Sequence, residues 1–325
     1  MAGLAPLISS NMPDLFGLDD IRMIDLVINE SAERATNDQH SALLRNGRFE
    51  VDPNFAPGGA KKLALMVGSN LPAEVAEGAA IPESTPAIAW TKTLNTLAYK
   101  NIATISKEAY RRDPRGEIRR ATENVMSQYM DTLNQIAGEL YKNALAGSGG
   151  ARYQTGDGDY LFSDSHSYSA ASPLYGAADQ DNKAALALTA PNMTTAVAAL
   201  RVQKGENGLI KGCRPKTLLV APDLETEARV IGLSVNAPGA FLSSQLATSL
   251  NPFAGSIQIA SNDFLTAKSW FLIDNDKCDV HMVASYQPEF SVFVNEYKDL
   301  MHFKIAFELT WGACDWRGVY GSQGS

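Results

Sequence analysis

Four places in the sequence gather residue types that could do chemistry. The run Gly156-Asp-Gly-Asp159 sets two carboxylates two residues apart, as a calcium loop begins. The ligand pattern does not continue and the closing glutamate of an EF-hand is missing, so the run reads as a turn. His166, between Ser165 and Ser167, puts a base beside hydroxyls. Nucleophilic hydrolysis would also need a strained G-x-S-x-G elbow, which does not occur, and His40, His281 and His302 stand in unrelated contexts. Gly205-Glu-Asn-Gly-Leu-Ile-Lys-Gly212 is glycine-rich but lacks the spacing and the Lys-Ser/Thr of a phosphate-binding loop, so it too reads as a turn. Cys213, Cys278 and Cys314 are odd in number and far apart, without C-x-x-C spacing, and read as reduced packing residues. No catalytic, cofactor-binding or metal-binding residue is assigned.

The charged feature that stands out is the cluster Arg111, Arg112, Arg115, Arg119 and Arg120. It crowds the start of an expected helix, where the macrodipole disfavours cations, so acidic partners should compensate it. Glu74, Glu77 and Glu83 of a neighbouring copy are the candidates, making an inter-subunit salt-bridge patch. The alternative is a solvated helix face, since exposed ion pairs contribute only about 0 to 1 kcal/mol each.

The elements around these residues follow from hydrophobic spacing. Residues 1–60 hold one helical pattern (Leu18, Ile21, Ile28, Ala32) and then a turn-rich stretch from Asn46 to Gly59 with no apolar face of its own. From 61 onward Leu63, Leu65 and Val67 alternate, and Ile88, Trp90, Lys92 and Leu94 do so after a Pro/Glu/Gly-rich turn. That is a long hairpin-like loop, marginal alone and in want of a partner surface. Asp113-Pro114 then caps the strongest helical pattern, from Ile118 through Leu133, Ile136 and Leu140 to Ala144, stopped by Gly147-Ser-Gly-Gly150. At 1.5 Å per residue it is a strut of roughly 45 Å.

Residues 151–185 read as a surface loop or short hairpin. Helix, strand and helix (after Pro191, at Thr217–Ala221, from Pro222) suggest an α/β layer, with strands near Ile257 and Trp270. Phe290, Val292 and Val294 alternate, and finally Phe303, Ile305, Phe307, Leu309 and Trp311 do, with Lys304, Glu308 and Thr310 on the other face of a half-buried strand.

Composition bounds the function. With 45% hydrophobic residues a real core is available, and 28 Lys+Arg against 36 Asp+Glu give a formal charge of −8. Such a chain is not drawn tightly to nucleic acid or an anionic membrane. No secretory leader pattern and no run of about 18 apolar residues occurs, which disfavours secretion and membrane insertion.

The order of parts resembles the Hong Kong 97-type major capsid proteins of tailed phages. The resemblance rests on Glu77-Gly-Ala-Ala-Ile-Pro-Glu-Ser, Ile105-Ser-Lys-Glu-Ala-Tyr-Arg-Arg-Asp before the long helix, Ala144-Leu-Ala-Gly-Ser-Gly-Gly at its end, and Pro215-Lys-Thr-Leu-Leu-Val-Ala-Pro222. Asp159-Tyr-Leu-Phe-Ser-Asp-Ser-His166, Asn251-Pro-Phe-Ala-Gly255 and Tyr320-Gly-Ser-Gln-Gly324 are similar to Mu-like major head subunits. The resemblance implies an α+β fold with an N-terminal arm (1–60), an extended β-hairpin loop (61–105), a peripheral domain with a long spine helix (106–189 and 286–325) and an axial domain (190–285).

It implies no enzyme and no cofactor. The implied product is an icosahedral shell of hexamers and pentamers around double-stranded DNA, assembled in the host bacterial cytoplasm and found in the virion. Partners implied are other copies, a portal protein, a separate scaffolding or protease protein, a decoration protein in some shells, and DNA by non-specific contact; no membrane is involved. Because only about 60 residues precede the loop, Met1 or Ala2 is expected to begin the mature subunit. No residues match the family's covalent cross-link, so a non-covalent shell is expected. The rivals are an encapsulin-like compartment and a soluble α/β enzyme.

Overall fold

The structure, a computed structural model, describes residues 49–51, 58–69, 71–72, 74–77, 80–81, 83, 86–108, 112, 117–234, 251–284, 289–295 and 297–324. The expected arm helix, most of the turn-rich stretch before Gly59, the Asp113-Pro114 cap, Arg111 and Arg115 lie outside the described residues.

The long helix α1 spans Glu117–Ala146, 30 residues. Its buried positions Leu133, Ile136, Ala137, Leu140, Tyr141, Ala144 and Leu145 fall at helical spacing on one face. It ends as the glycines require: Gly147 takes φ 65°, its N–H donates to Ala144 O and Ser148 N–H donates to Asn143 O at 3.0 Å. This pair of bonds is a Schellman closure, which satisfies carbonyls the helix leaves open.

Two five-stranded sheets flank the helix. The first contains β1 (Phe49–Val51), β4 (Leu97–Ser106), β9 (Val280–Ala284), β10 (Glu289–Asn295) and the 14-residue β11 (Leu300–Ala313). β11 pairs antiparallel with β10 and β4 along its first part and with β9 from Leu309 onward, while β1 runs parallel to β9. The second sheet has the order β5 (Lys183–Ala184), β12 (Val319–Ser322), β8 (Trp270–Ile273), β6 (Thr217–Val220), β7 (Gln258–Ser261). A separate antiparallel ribbon is formed by β2 (Ala60–Val67) and β3 (Ala87–Asn95).

Every position of β6 and β8 is buried because that sheet is covered on both faces. Leu219, Phe271 and Ile273 join the core under α1. The alternate residues Leu218, Val220, Trp270 and Leu272 join a second core with α2 (Ala190–Val202) and α3 (Glu225–Leu233). Met193, Ala196 and Leu200 are the face α2 contributes, and Thr189 caps it by accepting from Asn192 N. The first core includes Ile305, Phe307, Leu309 and Trp311 of β11 as well, so helix and both sheets share one interior.

Three sequence expectations change. Residues 151–185 are not a surface loop: Leu161, Phe162, His166 and Asn182 are buried, with Asn182 Nδ2 donating to Leu161 O at 2.8 Å and lying within hydrogen-bond reach of Trp316 O and Val319 O. One amide satisfies the carbonyls that an irregular buried segment would otherwise leave open. Thr310 is fully buried instead of facing solvent, because the root of the hairpin covers it and Asn95 O accepts its hydroxyl at 3.0 Å. Finally, β11 is not the last strand, since β12 carries the chain across into the other sheet.

Candidate functional site

The long β2–β3 ribbon is the feature with most to explain, because an isolated two-stranded ribbon is marginal in water. For its lower part the covering surface is the chain's own body. At the root, Gly58 N donates to Glu308 Oε2 at 2.7 Å and Thr96 Oγ1 to Gly59 O at 2.9 Å. Arg152 Nη2 donates to Asn95 O at 3.2 Å while its guanidinium lies 4.5 Å over the Trp311 ring. One step up β3, Lys92 Nζ donates to Arg152 O at 3.0 Å and to Gln154 O. Burial draws this ammonium down from 10.5 to about 8.

Above it, Trp90 packs at Gly156, where a Cβ would stand 2.6 Å from that of Trp90. The Trp90 indole N–H reaches Glu206 Oε1 at 3.3 Å. Beyond the end of β2, Asn207 Nδ2 donates to Ser69 O at 2.9 Å.

Glu206 is itself almost fully buried. It accepts from Ser169 N at 3.0 Å and from Arg317 Nη2 at 3.0 Å as well as from Trp90. Arg317, 2% exposed, also pairs with Asp315 at 3.0 Å, donates to Lys204 O and lies 4.7 Å over the Trp316 ring. Asp315 takes a further partner in Lys211 Nζ at 2.6 Å. Two cations and two carboxylates thus balance, as a buried charge group must. The 205–212 stretch is the turn expected, with Gly205 N donating to Leu209 O, but it is a turn that delivers a carboxylate into the interior.

Past Ser69 the hairpin leaves the body. Leu71 (69%), Ile81 (81%) and Val75 are exposed there, as are Met66 and Ile88 on the outward face. Glu74, Glu77 and Glu83 are exposed on the same tip, and Arg112 is exposed in the turn before α1. Arg119 and Arg120 lie in the first turn of α1. The two charged groups sit on different elements, the hairpin tip and the start of the helix.

Asp157, Asp159 and His166 each bring one ligand atom within 4.8 Å of the others, the one such grouping among the described residues that could hold a metal ion. The Asp157 carboxylate already accepts from Asp159 N at 3.1 Å, from Thr155 Oγ1, and meets His166 Nδ1 at 2.7 Å. His166 stacks on Trp316 with centroids 4.3 Å apart and planes 5° from parallel. These contacts fold the 155–166 segment against the 314–317 turn. None of the three buried cysteines is in a disulfide, and burial pushes the Cys314 thiol up to about 11, which suits packing and not reactivity. No helix of the described residues is long and apolar enough to cross a membrane.

The ribbon ends in exposed apolar side chains, and comparison with known proteins gives the chain a family. The model of the family described as "Phage capsid protein" matches residues 90–322, so the chain belongs to the phage capsid protein family. Its fold is similar to a solved structure from Microbacterium phage Oxtober96, with a TM-score of 0.52 at 11% identity over 87% of this chain and 91% of that one. It is also similar to the capsid of an empty GTA particle, with a TM-score of 0.52 at 12% identity over 87% of this chain and 89% of that one. Mycobacterium phage Bobi gives a TM-score of 0.51 at 10% identity, over 87% and 90%. No curated protein matches the chain.

Proposed function

We propose that this chain is the major head subunit of a tailed bacteriophage or prophage, building an icosahedral shell of hexamers and pentamers around double-stranded DNA. The observation that carries the reading is the hairpin of a capsid-family chain: pinned to its own body as far as Ser69, then extended into a tip whose Leu71 and Ile81 are exposed. Large apolar side chains left exposed together on one hairpin mark an interaction site, and another copy is the partner a shell supplies.

This reading takes over the Hong Kong 97-type division as a proposal: arm 1–60, loop 61–105, peripheral parts 106–189 and 286–325, axial part 190–285. Within that family the chain is of the Mu-like head-subunit kind, as its 159–166, 251–255 and 320–324 stretches suggest. Glu74, Glu77 and Glu83 meet the arginines Arg111, Arg112, Arg115 and Arg119 of a neighbour. Scaffolding or protease, portal and decoration proteins are separate partners, and the acidic subunit touches packaged DNA without gripping it. Each contact is weak, and the shell is stable because every subunit makes several.

Electron microscopy of the purified full-length protein tests this. Closed shells of uniform size are expected, and nucleic acid inside particles from induced host cells separates a phage head from a cargo compartment. A protein that stays monomeric at every concentration and salt tried would sink the reading.

A further inference from the structure

We infer that Glu206 and Asn207, carried by the turn between Gly205 and Leu209, form a saddle that fixes the direction in which the hairpin leaves the body, with Glu206 as the positioning residue. The inference rests on the assembly reading above and concerns how the subunit aims its hairpin before it meets a neighbour.

The spacing of the contacts makes the argument. At about 3.3 Å per residue, the points that pin the ribbon lie at its root (Asn95), ~10 Å along (Lys92), ~17 Å along (Trp90) and ~30 Å along (Ser69). A ribbon held only at its root can swing, and a turn of about 10° over ~30 Å carries its end ~5 Å, the width of a side chain. The two outer pins both come from the 205–209 turn. That turn is in its place because Glu206 is anchored from the body by Arg317 Nη2 and Ser169 N, and because Ser172 Oγ donates to Glu206 O.

The design also separates aim from stability. Of three donors to the Glu206 carboxylate, only the Trp90 indole belongs to the hairpin. Removing that one leaves a buried carboxylate still paired with a guanidinium and a backbone N–H, so the body keeps its charge balance. Asn207 is arranged in the same way: Oδ1 accepts from Leu209 N and holds the turn, while Nδ2 alone reaches the hairpin at Ser69 O.

The test is hydrogen exchange on the full-length, unassembled subunit carrying Trp90→Phe, Asn207→Asp, or both. Phenylalanine keeps an aromatic ring and loses the N–H; aspartate keeps the Oδ1 acceptor and loses the donor. The expected result for the double variant is about tenfold faster exchange at amides of β2 and β3, with α1 and β8 unchanged and a smaller effect in each single variant. Shells grown from it should show a broader spread of diameters than wild type. Unchanged hairpin exchange would overturn the inference. Equal acceleration in α1 and β8 would also overturn it, since the contacts would then be stabilising the whole subunit and not aiming one part. Uniform shells from a variant whose hairpin exchanges faster would remove the saddle from assembly. A wild-type protein that forms no shell leaves the exchange result standing and counts against the assembly reading instead.

Discussion

Arg317→Met is the substitution whose consequence can be worked furthest from the structure. The guanidinium is 2% exposed and bonds Glu206 and Asp315 at 3.0 Å each, with Lys204 O as a third acceptor. Methionine is of similar length and keeps apolar contact with Trp316, so the change is mainly the loss of one charge and its donors. Breaking a buried ion pair from one side costs about 3–5 kcal/mol, because the remaining charge stays buried and unpaired. Here Asp315 retains Lys211 Nζ at 2.6 Å and the Arg317 backbone N at 3.1 Å, so most of the penalty falls on Glu206.

The lower end is therefore expected, roughly 3 kcal/mol in urea unfolding of the unassembled subunit near neutral pH. One signature identifies the cause. Adding Glu206→Gln should recover at least half of the loss, since it removes the orphaned charge. A loss below about 1 kcal/mol would refute the reasoning, placing the pair no higher than an exposed salt bridge. So would a loss that Glu206→Gln deepens.

Lys92 gives a pH test. Its ammonium is lowered to about 8 by burial, with Cys314, Asp157 and Asp279 opposing that shift and Arg152 adding to it. Between about pH 8 and 10.5 the unfolded chain binds more protons at this site, so stability relative to Lys92→Met should rise with pH across that window and be flat below it. A falling difference, followed by denaturant unfolding, would contradict this. Leu71→Asp with Ile81→Asp should leave subunit stability within about 0.5 kcal/mol, since both side chains are already in water, yet suppress shell formation judged by electron microscopy. Charge reversal at Arg112 and Arg115 should likewise deplete shells, with recovery when Glu74, Glu77 and Glu83 are changed to lysine; normal shells from the reversal alone would remove the patch from assembly.

The elements with strong local pattern were legible in the sequence. The 3.6-residue spacing from Leu133 to Leu145 and the glycines after Ala146 define α1 and its end, and alternation marks β2, β3, β10 and most of β11. These signals are local because each element buries one face, so its own side chains report its geometry. The short strands β9 and β12 passed unread. With neither face in water, Val280–Ala284 and Val319–Ser322 carry too little alternation to mark them.

The turns at 156–159 and 205–212 were readable as turns, but their use was not. That Glu206 would enter the interior depends on Arg317, 111 residues away, reaching the same point. A buried carboxylate is stable only beside a partner that the fold delivers, and sequence distance carries no trace of that meeting. The same holds for Thr310, whose alternation puts it in solvent and whose burial is decided by the hairpin lying across it. Local periodicity and punctuation were enough for the long helix, the hairpin strands and their order, since each of these parts follows from its own residues. Which surfaces cover one another, and so the direction in which the hairpin is aimed, was decided only by tertiary structure, where groups far apart in the chain satisfy each other's charge and hydrogen bonds.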